Sequence, residues 1–242
     1  MQTDDIVYHD GSVSLRGFLA DDAAATSRRP GILVVHEGLG LGDHAMERAR
    51  MLAKLGYVAL AADMFGDRRQ ARDLQEAAGL TAEFRSEPAR LRARGHAALT
   101  TLASLPQVDA LRLAAIGFCF GGSVVLELAR DSADLAAVVS FHGILATKAP
   151  ARAGNVKASV LVCTGADDPL VPADQVAGFE QEMRAAEVRD WQVISYGNTL
   201  HGFTNPAADG SIFQSALYNE RSDRRSWAAM QGLFDEVLRS GR

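Results

Sequence analysis

Leu113-Ala114-Ala115-Ile116-Gly117-Phe118-Cys119-Phe120-Gly121-Gly122 carries a short apolar run into a G-x-C-x-G turn, and a helical pattern follows over residues 121–130. Strand, sharp turn and helix in that order make the setting of a nucleophile elbow, with Cys119 at the position serine more often holds. The spacing has a physical cause. The nucleophile sits on a strained turn, and the flanking glycines relieve the clash between strand and helix. The turn exposes the sulfur, and the first helical amides point toward it, so the positive end of the helix dipole favours a thiolate. The plainer alternative is a buried, inert thiol. It fits Cys163, which lies inside an apolar run with no turn beside it.

Similar runs stand on both sides of this one, at residues 31–35, 57–62, 136–141, 160–163 and 191–194. Continuous short apolar runs suit strands buried on both faces of a mainly parallel sheet. Residues 12–19 alternate instead, as an outer antiparallel strand would, and residues 21–30 form a polar, alanine-rich connection. Helical patterns occupy 44–55, 88–105, 121–130, 173–186 and 223–238, with Pro88 well placed for a first turn. Strands alternating with helices predict an α/β layered fold, here one domain over residues 1–242 with helices on both faces of the sheet. No insertion is large enough for a separate lid. Ligands in such sheets bind beyond the carboxyl ends of the strands, so the loops there are where chemistry is expected.

Composition narrows the class. The chain has 242 residues, 48% of them apolar, and a net charge of −5. No basic stripe of the kind that holds nucleic acid is present, and the pairs Arg68-Arg69 and Arg224-Arg225 stand isolated. No apolar segment approaches a membrane span. Met1-Gln2-Thr3-Asp4-Asp5 has neither a positive start nor an apolar run, so no signal peptide is expected. With only Cys119 and Cys163 in a chain this long, reduced thiols and a cytoplasmic protein are expected. The expected partner is a small molecule, with no nucleic acid, membrane, metal or cofactor, and the protein itself a monomer or homodimer.

A thiol that ionises near pH 8.5 when free needs a base or a favourable field to attack at neutral pH. On this architecture the order is nucleophile, acid, histidine. Downstream of Cys119, Asp167 and Asp168 stand in the turn Gly165-Ala166-Asp167-Asp168-Pro169-Leu170-Val171-Pro172, and spacing alone does not choose between them. His201, in Leu200-His201-Gly202-Phe203, is the sole histidine further on that can follow them. His9, His44 and His96 precede the turn in weak contexts and read as structural or solvated. His142 ends a strand run beside Gly143, where a place at the site's edge and a packing role are both open.

Taken together, Glu37-Gly38, the Cys119 turn, Asp168 before Pro169-Leu170-Val171-Pro172, and His201-Gly202-Phe203 resemble the dienelactone hydrolase family over nearly the whole chain. The resemblance implies an α/β-hydrolase fold and a Cys119–His201–Asp168 triad that cleaves activated esters or lactones through a thioester. It selects Asp168, because the family's acid directly precedes an x-x-Val-Pro stretch. It also implies that Glu37 contacts the resting thiol and swings away when substrate binds, and that the amides of Gly38 and Phe120 form the oxyanion hole. One departure stands out. Well-known members carry an arginine four residues after the histidine to hold a substrate carboxylate, and here that position is Asn205. An amide cannot replace a bidentate guanidinium, which points to a neutral ester or lactone.

Phe65, Phe118, Phe141 and Phe203 fall near strand ends; with Asn205 they are candidates to bind substrate, and equally candidates for the core. Aryl esters and phosphotriesters are alternative substrates for the same residues. Other classes fit less well. Gly40-Leu41-Gly42-Asp43-His44-Ala45 matches G-x-G-x-x-A, with Asp63 placed as a ribose-binding acid, which would make a dinucleotide-dependent oxidoreductase. Asp43 would then face the pyrophosphate, however, where negative charge is repelled. His36-Glu37 begins H-E-x-x-H, but position 40 is glycine. A non-catalytic binding protein would need no complete triad, and a redox-sensing Cys119 would show peroxide oxidation without ester turnover.

Overall fold

The computed structural model describes residues 1–22 and 27–239, so residues 23–26 of the expected 21–30 connection lie outside the described residues. The sheet has eight strands: β1 Gln2–Asp10, β2 Val13–Asp21, β3 Arg29–Val35, β4 Val58–Ala62, β5 Val108–Phe118, β6 Ala137–Phe141, β7 Ser159–Gly165 and β8 Trp191–Tyr196. Their spatial order is β1-β2-β4-β3-β5-β6-β7-β8. From β4 to β8 all neighbours run parallel, while β1 and β2 form an antiparallel hairpin on one edge. β1 was not expected from the sequence. Its pattern is mostly exposed, with Tyr8 the one buried side chain, so it lacks the apolar signature of the strands it extends.

The helices are α1 Asp43–Lys54, α2 Leu74–Ser86, α3 Pro88–Ser104, α4 Phe120–Arg130, α5 Ala173–Ala185 and α6 Glu220–Phe234, the last ending in a π turn Asp235–Arg239. Alternation along the strands sorts the core into two layers. Leu33, Val35, Ala115, Val138 and Val162 face the layer that packs against α3, α4 and α5. Ile32, Val34, Ile116, Phe118, Phe141 and Cys163 face the opposite layer, against α1 and α6. Such two-sided burial is what continuous apolar strands require. The result is an α/β-hydrolase fold without a large lid. α2 was also not expected. It buries only Ala77, Thr81 and Phe84, of which Phe84 alone is large and apolar, so its sequence carries only a weak apolar stripe. Asp73 caps it, accepting a bond from the Glu76 amide at 2.8 Å.

The glycine-rich stretch after β3 does not make a nucleotide turn. A Cβ on Gly40 would lie 2.5 Å from the Arg69 carbonyl, so this loop is already covered by the segment after β4. Asp63 is fully buried, and its carboxylate accepts the amides of Arg16, Phe65, Gly66 and Arg68 at 2.7–3.0 Å. A carboxylate so occupied organises its own turn and has no capacity left for a ribose.

Candidate active site

The strand-to-helix turn at the end of β5 is as tight as its glycines suggest. Cys119 sits at φ 52°, ψ −113°, outside the regions a side-chain-bearing residue prefers. A Cβ on Gly117 would lie 2.0 Å from the Gly121 carbonyl, and one on Gly121 would lie 2.1 Å from the carbonyl of Val35. Neither position tolerates a side chain, so both glycines are obligatory for this approach of strand and helix. Cys119 is partly exposed, and its side chain lines a cavity of about 490 Å³.

His201 and Asp168 come from the loops beyond β8 and β7. His201 Nδ1 lies 2.8 Å from Asp168 Oδ2, and both side chains are buried. The other carboxylate oxygen of Asp168 accepts the Leu170 amide at 2.9 Å, which fixes its rotamer. Asp167 is exposed, so burial decides which of the adjacent acids can meet the ring. Nε2 of His201 has no partner in ordinary hydrogen-bond geometry among the described residues. It is nevertheless coupled to the Cys119 sulfur. Burial opposes a charge on the ring, but a thiolate at Cys119 and the bond to Asp168 outweigh it, and the imidazole is pushed up to about 10. We read this as an interaction close enough for charge to matter, without an aligned bond; such contacts are often loose before substrate is bound.

Glu37 does not touch the thiol. Its Oε2 accepts from Asn205 Nδ2 at 2.8 Å and lies 3.4 Å from His44 Nδ1. Burial pushes its pKa up, but the bonds to His44 and Asn205, with the charge on His201, overcome this and hold it below the usual carboxylate value. In place of the expected resting contact with Cys119, the carboxylate is turned toward the Asn205 amide, which donates to it, and the nearby His44 ring. The physical reason is that the Asn205 amide and the His44 ring offer a buried carboxylate the compensation it needs. Asn205, expected to meet substrate, spends its Nδ2 on Glu37 and its Oδ1 on the Ala207 amide. His44, read from sequence as structural or solvated, proves to be part of the Glu37 environment.

Gly38 and Phe120 line the cavity beside Cys119. Phe120 is the first residue of α4, where the backbone amide has no acceptor within the helix. The other aromatic candidates are displaced from the cavity. Phe118 and Phe141 stack at 5.0 Å on the α1–α6 side of the sheet, because their strand register turns them away from Cys119. Phe203 is fully buried with them, and Phe65 packs against His36, Phe84 and Phe120. The cavity wall is built instead from α2, through Leu74, Ala77, Ala78, Thr81 and Arg85, and from the loop after His201, through Ile212 and Phe213. Sequence reasoning missed this wall because α2 itself was not recognised. Arg85 reaches Thr81 Oγ1 at 3.2 Å and pairs with no carboxylate among the described residues.

The dienelactone hydrolase family model matches residues 15–238. The chain belongs to the dienelactone hydrolase family. Two solved structures are closely similar. The m3DLH structure shares 45% identity at a TM-score of 0.93, covering 98% of each chain. P91, a dienelactone hydrolase-like promiscuous phosphotriesterase from metagenomic libraries, shares 43% identity at a TM-score of 0.93, again over 98% of each chain. As a member of this hydrolase family the chain is a hydrolase, and the match spans every element that carries the cavity.

Proposed function

We propose that this dienelactone hydrolase family member cleaves activated carboxylic esters or lactones by covalent catalysis at Cys119. The observation that carries the reading is the sulfur on a positive-φ turn, facing an imidazole whose far nitrogen Asp168 holds at 2.8 Å. The thiolate attacks the carbonyl carbon, a C–S bond forms, and the π pair moves onto oxygen. The amides of Gly38 and Phe120 receive that charge, which in a water-poor site is the main electrostatic contribution. Collapse breaks the C–O bond to the leaving group, and His201 Nε2 delivers its proton to the departing oxygen. The neutral ring then takes a proton from water, whose oxygen attacks the thioester. Expulsion of the thiolate regenerates the pair. Glu37, held by Asn205 and His44, stays clear of the sulfur during attack.

The cavity lining supports this substrate class. Its walls are apolar near Cys119, with Leu39, Phe120, Ile144 and Leu170, and its mouth exposes Leu74 and Ile212. An aryl or alkyl ester fits that lining. Arg85, which pairs with no carboxylate among the described residues, favours an electronegative or anionic group of the substrate on the α2 wall. A second reading, aryl phosphotriester hydrolysis on the same residues, is favoured by the likeness to P91.

The test is a panel of p-nitrophenyl esters, lactones and aryl phosphotriesters, with intact-mass detection of an adduct. An acyl mass increment that maps to Cys119 and turns over is the expected result. Turnover with no adduct under single-turnover conditions, and unchanged rate in Cys119→Ala, would overturn the covalent account.

A further inference from the structure

Beyond the triad, one buried ring bridges the two loops that carry nucleophile and base. His142 follows β6 directly and adopts φ 42°, a left-handed conformation that histidine tolerates better than most residues. The next residue, Gly143, has no room for a side chain, since a Cβ there would lie 2.4 Å from Ser140 Oγ and 2.7 Å from the Gly122 carbonyl carbon. The chain is thereby pressed against the start of α4, and the His142 ring is turned under the Cys119 turn. Its Nδ1 accepts the Cys119 amide at 3.1 Å, an N–H shared with the Phe141 carbonyl at 3.0 Å. An accepting Nδ1 carries no proton, so the neutral ring carries its hydrogen on Nε2. That hydrogen goes to Thr204 Oγ1 at 2.8 Å. Thr204 is fully buried, three residues after His201 in the same loop. The ring also stands edge-on to the His201 imidazole, with centroids 5.1 Å apart.

We propose that His142 is a positioning residue: as a neutral Nε2–H tautomer it ties the backbone of the nucleophile to the loop of the general base, and so sets the distance between Cys119 and His201. The inference rests on the proposed function only in taking those two residues as the reacting pair. Two features of the structure require the ring to stay neutral. Protonated Nδ1 would oppose the Cys119 N–H and break the tie. The charge would also face His201, His44 and Arg48, the cationic or titratable groups packed around it. Burial together with these neighbours pushes the His142 pKa well down. Arg48 holds the same loop from the other side, donating to the Thr204 carbonyl, so the loop is gripped at both its side chain and its backbone. A base loop held only by its neighbours in sequence would let the pair drift, and misplacement by about 1 Å can cost about 100-fold in rate.

The experiment compares Thr204→Val, which keeps the shape and deletes the acceptor, with Thr204→Ser, which restores it, and with His142→Gln, which removes the ring. Two readouts are used, after near-UV circular dichroism has established the native fold of each variant. One is p-nitrophenyl ester turnover. The other is the pH profile of iodoacetamide alkylation at Cys119, read by mass and independent of any ester. The expected result for Thr204→Val is a kcat about tenfold lower with KM within about twofold, and an alkylation inflection moved toward that of a free thiol. Thr204→Ser recovers both, and His142→Gln shifts both at least as far as Thr204→Val. If folded Thr204→Val and His142→Gln keep the wild-type alkylation profile and kcat, His142 is a core residue and the proposal is overturned. If wild type alkylates like a free thiol and hydrolyses no ester, the thiolate–imidazolium pair itself is wrong, an outcome separate from the first.

Discussion

Cys119 and Cys163 belong to one sheet and sit in opposite environments. Cys163 is inside β7, fully buried among the side chains facing α1 and α6. Burial pushes its thiol up to about 12, and its polar contact is the Tyr196 hydroxyl at 3.8 Å. Cys119 stands one residue past the end of β5, where the chain has left the sheet and α4 begins. There Cys119 lines a cavity at the N-terminus of α4, which His201 lines as well. The difference teaches that reactivity here is a matter of position. A strand interior offers a sulfur only apolar neighbours, whereas the carboxyl end of a strand offers dipoles, partner loops and space.

The comparison breaks most sharply by exchange of single atoms. Cys119→Ala is expected to lower kcat for a p-nitrophenyl ester by about 10⁴-fold or more, and Cys163→Ala to leave it within about twofold. The second variant is expected to lose about 1 kcal/mol of stability in a urea titration, as a core truncation does. An equal loss of turnover in both would end the distinction. The neighbouring acids extend the same logic. Asp168→Asn should cost about 10³-fold, because it deprives His201 of its orienting acceptor, and Asp167→Asn should cost less than about twofold. A larger loss at Asp167, measured on the same substrate, would place the acid wrongly.

Protonation sharpens the contrast further. The His201 pKa is raised to about 10, so the imidazolium survives through neutral pH and is lost as pH rises through that value. kcat/KM for an ester whose leaving group needs a proton is therefore expected to fall on an alkaline limb near pH 10. Because the Cys119 thiolate is the largest of the influences raising that value, Cys119→Ala should bring the His201 ring titration down by more than about one pH unit in NMR, and Cys163→Ala should not move it. The smallest effect is expected at the cavity wall. Arg85→Gln should raise KM about tenfold for esters with an anionic acyl tail and leave neutral esters unchanged. Equal KM changes for both classes would remove Arg85 from substrate recognition.

Much of this was legible in one dimension. Gly117-Phe118-Cys119-Phe120-Gly121 announces its turn because only glycine fits where backbones approach within 2.0–2.1 Å of a would-be side chain. His201 and the Asp167-Asp168 pair are legible because each follows an apolar run that suits a buried strand, and only the family resemblance chose Asp168 over its neighbour. The aromatic residues were not. Phe118 and Phe141 stand at strand ends where pocket and core are equally open by sequence, and the structure points them to the α1–α6 layer. The wall that replaced them belongs to α2, whose mostly exposed sequence has no marked apolar stripe.

Sequence alone determined the alternation of the buried strands with most of their helices, the glycine-flanked turn at Cys119 and the chain order of Cys119, the Asp167-Asp168 turn and His201, because these depend on local sterics and on the period of apolar residues. Only the tertiary structure decided which carboxylate is buried against His201, where Glu37 turns, what lines the cavity and how His142 joins two loops. Those are contacts between segments far apart in the chain, and side-chain direction and burial there are set by packing that no local pattern encodes.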